Sequence, residues 1–265
     1  MRYWGKNIEI DGSYYKTARA KSSGLMPGED NVELFETTVQ DLMRTIETKS
    51  TVGRTIVRAI NQSPRTLRII PLTIAERYGP TSRGTWPTPV KDAAASPKNF
   101  QVCYIGMPCY TGTGEGSDIV LNYEPYTWAG YDTLLGQDPG GDQQPDDVLF
   151  HELVHCLRMM RGQLYKYGNP GPFQDSEELF AVMIRNMYVA QIGRVQSLQA
   201  RYGSPVFQTM TGSWFKTVAD FYHDYESFIE QFCREMPDIS GAFGAMAGFW
   251  NPFRARAVNK ANPLP

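Results

Sequence analysis

Residues Pro145 to Arg161, PDDVLFHELVHCLRMMR, constrain this chain more than any other stretch. Val148, Leu149, Leu153, Val154 and Leu157 recur at the spacing of a helix buried on an apolar face. Pro145 suits a first helical position, and Asp146 or Asp147 can cap the helix start beside it. Inside that apolar setting His151, Glu152 and His155 form the pattern H-E-x-x-H. Two imidazoles four residues apart on a helix lie one turn apart on the same face. They could be a half-buried polar stripe, but the chain has only three histidines and two of them stand here. Neutral imidazole nitrogens are ligands for zinc, and Glu152 between them is placed to take a proton from water at the open position of the ion. The chemistry indicated is hydrolysis of an amide.

A catalytic zinc takes three protein ligands, so a third must come from elsewhere. The metzincin continuation H-x-x-G-x-x-H is excluded, because Arg158 and Arg161 stand at its glycine and histidine places. After a bend rich in Gly and Pro, residues 162–172, the next helical pattern is DSEELFAVMIRNMYVAQ. Folded back on the first helix, it would present Glu178 or Glu177 to the ion, with Asp175 a weaker candidate. Glu178 is preferred: with Leu179, Phe180 and Ala181 it forms a run that resembles the third-ligand segment of some glutamate-type zinc proteases. Both glutamates also suit a helix N-terminus for its dipole alone.

Length bounds the architecture. At 265 residues the chain is expected to form one domain, with a core over about residues 8–236 and an irregular tail at 237–265. A formal charge of −2 and an isoelectric point near 6.0 give no basic field, so neither nucleic acid nor an anionic membrane is an implied partner. The N-terminal MRYWGKNIEIDG lacks the apolar run of a secretory signal, and the apolar GAFGAMAGFW is too short to cross a bilayer. Cys103, Cys109, Cys156 and Cys233 are read as reduced thiols, a disulfide between Cys103 and Cys109 being possible but not indicated, with Cys156 turned about a hundred degrees from His155 and packed rather than ligating.

Along the chain, Asn7 to Ile10 followed by Asp11-Gly12 signals a strand and turn. Residues 22–31 read as a loop. Val32 to Thr48 and Ser50 to Asn61 carry helical apolar spacing, and Leu67 to Ile74 reads as a strand at an edge or ending at Pro71. Tyr78 to Asn99 reads as a surface excursion. Phe100 to Ile105 and Asp118 to Tyr123 read as strands of a hairpin joined by the glycine turn TGTGEGS, which lacks the lysine and hydroxyl ending of a phosphate loop. Tyr126 to Gln144 is a second long loop. Helices are expected at 207–218 and 221–236. The fold class that follows is α+β, a small sheet preceding a mostly helical second half.

Taken together, IEIDGS, TKSTVGRTIVRAI, GSDIVLNYEP, PDDVLFHELVHCLRMMRG and EELFAVMIRNMY resemble the NleD-like bacterial effector zinc metalloproteases, over roughly residues 8–194. The resemblance implies a zincin-like fold with one Zn2+ per chain, His151 and His155 as ligands and Glu152 as catalytic base. It also implies a secreted bacterial effector or toxin, exported without a cleavable signal peptide. Its partners would be a protein substrate in a target cell, such as a host signalling protein, and a chaperone or immunity protein; residence in the bacterial cytoplasm is the alternative.

For the oxyanion, His223 beside Asp224 is the candidate taken, with Tyr165 and Tyr167 as others. Three rival readings stand beside the peptidase. They are a zinc amidohydrolase acting on a non-peptide or cell-wall substrate, a binding module whose zinc is structural and closed by Cys156, and a metal-free helical interaction domain.

Overall fold

The computed structural model describes residues 1–14, 31–72, 85–103, 109–125, 144–165, 170–171, 173, 175–194, 198–201, 204–205, 218–248 and 250–261. The sheet begins with β1 (Arg2–Trp4) and β2 (Ile8–Ile10), a short antiparallel pair. Two helices follow. Asn31 accepts the Leu34 amide and starts α1 (Val32–Lys49), which buries Phe35, Val39, Met43 and Ile46 along one stripe. Ser50 accepts the Gly53 amide and starts α2 (Thr51–Gln62), burying Val52, Ile56, Val57 and Ile60. The chain then enters β3 (Leu67–Pro71), parallel to β2.

Next come β4 (Trp86–Pro89), the single-turn α3 (Asp92–Ala95), β5 (Gln101–Val102), β6 (Tyr110–Thr111) and β7 (Ile119–Tyr123). The main sheet has the order β1-β2-β3-β7-β4, with β2, β3 and β7 parallel and an antiparallel strand at each edge. Alternation gives it one core face, where Ile8, Ile10, Leu67, Ile69, Ile119, Leu121 and Tyr123 are all buried. Against that core pack α4 (Pro145–Met160) and α5 (Ser176–Gln191), with α1 and α2 beside them. A small ribbon, β8 (Gln199–Arg201) with β9 (Ser204–Pro205), precedes α6 (Val218–Glu235), α7 (Pro237–Ala245) and α8 (Pro252–Ala261). The described residues thus form an α+β mixture of eight helices and a small mixed sheet. None of these helices is long and apolar enough to cross a membrane.

Several expectations are corrected. The excursion at 78–99 contains β4, an edge strand of the main sheet, because its prolines sit where they cost no hydrogen bond. Val90 donates to the Asp118 carbonyl at 2.9 Å, so Pro87 and Pro89, on the alternate positions, turn their nitrogens away from β7. The expected hairpin between 100–105 and 118–123 does not form: β5 pairs with β6, and β7 joins β3 in the main sheet. That ribbon brings Cys103 opposite Cys109, and the two form a disulfide with Cα atoms 4.3 Å apart rather than remaining reduced; Cys156 and Cys233 are free.

Within the tail at 237–265 the described residues are largely helical rather than irregular. Pro237 and Pro252 each open a helix, where a missing N–H is no loss, and Phe243, Trp250 and Phe253 are buried. Met236 separates α6 from α7, and α6 begins at Val218, so the expected helix at 207–218 lies otherwise outside the described residues. The loop readings at 22–31 and 126–144 also lie outside them, apart from their last residues.

The glycine run TGTGEGS has a structural task. Gly116 lies at φ +77°, and a Cβ there would sit 1.9 Å from the Met160 carbonyl oxygen. The run is therefore the seat for the end of α4, where Ser117 donates to Met159 at 3.2 Å. Gly162 ends that helix at φ +67°, with its amide on Met159 and that of Gln163 on Arg158 at 2.8 Å, a Schellman arrangement.

Candidate metal centre

Helices α4 and α5 run antiparallel, and a buried group of ligating side chains lies between them. His151, His155 and Glu178 are 8%, 0% and 4% exposed, and their candidate ligand atoms all lie within 4.8 Å of one another. The His155 and His151 Nε2 atoms are 3.1 Å apart. Glu178 brings Oε2 to 3.3 Å from His151 Nε2 and Oε1 to 3.5 Å from His155 Nε2. Three groups whose lone pairs converge this closely, out of water, can hold a metal ion.

The local electrostatics suit that use. Burial opposes ionisation of Glu178, but hydrogen bonding to His151 and His155 and their charge hold its carboxyl well below the usual range. Burial lowers His151 below the ordinary histidine value despite Glu178. At His155 burial acts the same way, but Glu178, Glu152 and Glu177 outweigh it and the value rises. The Trp86 ring, from the edge strand β4, lies 5.1 Å from the His155 ring. Glu152 is buried at 7% exposure, next in sequence to His151.

The neighbouring acids are committed elsewhere. Asp175 is the N-cap of α5 and accepts the Glu177 and Glu178 amides at 2.9 and 3.0 Å. Glu177 meets Arg158, whose Nε and Nη2 reach Oε2 and Oε1 at 2.8 and 2.7 Å. At the far end of the pair, Asp147 and Asp146 from the first turn of α4 take Arg185 at 3.1 Å and Arg194 at 2.9 Å, and Tyr188 donates to Asp146 at 2.5 Å. The group of His151, His155 and Glu178 sits between these two ionic staples.

Other sequence candidates fall away from the cluster. His223 lies on the outer face of α6 with 89% of its side chain exposed, 3.6 Å from the Asp224 carboxylate, and the structure does not bring it to the ligands. It is therefore withdrawn as the oxyanion candidate. Phe221, Tyr225, Ile229 and Phe232 are the buried stripe of that helix, so the periodicity already placed residue 223 outside. Tyr165 contributes through its backbone: its amide donates to Glu177 at 2.8 Å, while its ring packs 4.5 Å from that of Phe100. Tyr167 lies outside the described residues. Cys156 is fully buried, burial pushes its thiol upward, and it is not part of the ligand group.

Sequence reasoning missed Arg158 and Trp86. Arg158 carried a signal, since a charge in the apolar last turns of a buried helix needs a partner, and the acids of its own helix stand too far back along it to supply one. Trp86 carried none, standing among prolines that read as a loop. Comparison of the chain with protein-family models, with curated proteins and with solved structures finds no match.

Proposed function

We propose that the chain is a zinc-dependent endopeptidase. What carries the reading is the ligand spacing. A tetrahedral shell at the usual zinc distances of ~2.0–2.2 Å puts neighbouring ligand atoms roughly 3.3–3.6 Å apart. The separations between the two imidazoles and the carboxylate here are 3.1, 3.3 and 3.5 Å. An H-E-x-x-H helix beneath a small mixed sheet, with an antiparallel strand at its edge and a glutamate from the next helix, supports a zincin-like reading of the fold.

His151, His155 and Glu178, two imidazoles and an ionised carboxylate, would hold the ion. A zinc ion supplies there a Lewis acid that polarises an amide carbonyl and acidifies water. Glu152 takes the proton of the attacking water and passes it to the leaving amine. The closed structural site built on Cys156 loses support, because that thiol stands apart from the three ligands. The same constellation would serve an amidohydrolase on a non-peptide or cell-wall substrate, and substrate profiling separates the two.

The resemblance to effector metalloproteases supports a protein substrate in a target cell and a secreted effector or toxin. The Cys103–Cys109 disulfide, a bond of oxidising compartments, favours export over residence in the bacterial cytoplasm.

The test is elemental analysis after dialysis together with cleavage of a peptide library. The wild type should hold about one zinc per chain and cleave, Glu178→Ala should lose the metal, and Glu152→Gln should keep it and lose cleavage by about 10²-fold or more. A wild type without zinc after reconstitution, or full cleavage by Glu152→Gln, overturns the reading.

A further inference from the structure

We propose that Arg158 is a positioning residue of this metal site: forked onto Glu177, its guanidinium fixes the rotation of the first turn of α5 and so decides that Glu178 is the glutamate facing the histidines. The inference rests on the metal-site reading above and assigns a task to a residue outside the ligand group.

The geometry follows from helix periodicity. Arg158 stands three residues after His155, so His151, His155 and Arg158 form one stripe of α4 turned toward α5. Glu177 and Glu178 are adjacent on α5 and point about 100° apart. Holding one of them therefore sets the direction of the other. Arg158 holds Glu177 through two parallel hydrogen bonds of 2.8 and 2.7 Å, a fork that defines an angle as well as a distance. Both side chains are fully buried.

The guanidinium is itself immobilised. Its Nη2 also lies 2.8 Å from the Gln163 carbonyl and 2.9 Å from Glu235 of α6, its two N–H groups being shared among three acceptors. The Phe180 and Phe232 rings lie 4.5 and 5.5 Å from its centre. Glu177 is fixed from its own side by the Tyr165 amide at 2.8 Å.

A purely structural clamp between α4, α5 and α6 is the rival account, and two variants separate them. Arg158→Lys keeps the charge but replaces the fork by a point donor. The double variant Arg158→Met, Glu177→Met replaces the buried pair by apolar side chains, an exchange that is often neutral for a buried ion pair, although here it also takes a partner from Glu235, the Gln163 carbonyl and the Tyr165 amide. For each, zinc affinity is measured by competition with a chromophoric chelator, the Co2+ absorption spectrum is recorded as a signature of coordination geometry, and melting is followed in the metal-free form.

Both variants should bind zinc about 10–100-fold more weakly than the wild type and show an altered Co2+ spectrum, with the metal-free double variant still folding and melting in one cooperative transition. Wild-type affinity and spectrum in the double variant would overturn the proposal and leave the pair as a clamp. Failure of both variants to fold would overturn it too, since the pair would then be indispensable to the fold rather than to the site. A wild type that binds neither Zn2+ nor Co2+ sinks the metal reading instead, and is distinguishable because no variant is then informative about orientation.

Discussion

Three acids lie within four residues at the start of α5, and their fates differ because each meets a different partner. Asp175 is used by the backbone, Glu177 by Arg158, and Glu178 by the two imidazoles. Asp175→Ala should therefore leave about one zinc bound per chain while lowering stability by about 1 kcal/mol, the usual cost of a lost helix cap, read by chemical denaturation of the metal-free protein. Loss of the metal in that variant would mean that Asp175 reaches the ion after all. The pattern H-E-x-x-H was legible because its spacing is its geometry. The choice between Glu177 and Glu178 was not settled by spacing, because helix periodicity gives directions relative to a neighbour and the neighbour was unknown. The demand of Arg158 for a buried partner supplies the missing constraint.

At the scale of elements, glycines and prolines were the residues most easily misread, since each interrupts a pattern for more than one physical reason. Pro87 and Pro89 look like breakers but sit on the outward positions of an edge strand, and Pro237 and Pro252 look like ends but are beginnings. The glycine run was legible as a turn and illegible as a seat for α4, because a close approach depends on what arrives. Gly116→Ala should cost at least about 2 kcal/mol, since a Cβ meets backbone at 1.9 Å and φ is +77°. Gly193 is the control at φ +81°, where nothing lies within 4 Å and alanine should cost only the conformational strain of about 1 kcal/mol. Gly241, inside α7 with open space around it, should tolerate alanine with a gain of about 0.5–1 kcal/mol. Denaturant midpoints of the three variants give the order directly. Equal losses at Gly116 and Gly193 would show that the end of α4 does not rest on the run.

Across the whole molecule, the helix pair α4 and α5 that carries the candidate metal site is buttressed by a C-terminal set of helices whose contribution the sequence understated. Phe232 of α6 and Phe253 of α8 pack 5.3 Å apart, and Phe232 also lies against Arg158, so the tail is continuous with the support of the site. Its outer seam is ionic. Arg256 of α8 grips Glu230 of α6 at 2.6 and 2.9 Å, and Lys260 adds a contact at 3.2 Å. The Arg256 hydrogen bonds, aided by Lys260 and opposed by partial burial, bring the Glu230 carboxyl down to about 2. Because the folded value lies below that of the unfolded chain, the contribution is complete above the unfolded value near ~4.3 and is lost as pH falls through the folded one. Glu230→Gln should therefore unfold more easily than the wild type at pH 7, by about 1–2 kcal/mol given the residual exposure of the pair. The gap should narrow steadily between roughly pH 4.5 and pH 2. Thermal unfolding of both proteins across that range reads the gap directly. A constant gap would place the effect of the substitution in packing, whereas a closing gap places it in the charge that ties α8 to α6 and, through Phe232, to the helices that carry the candidate metal site.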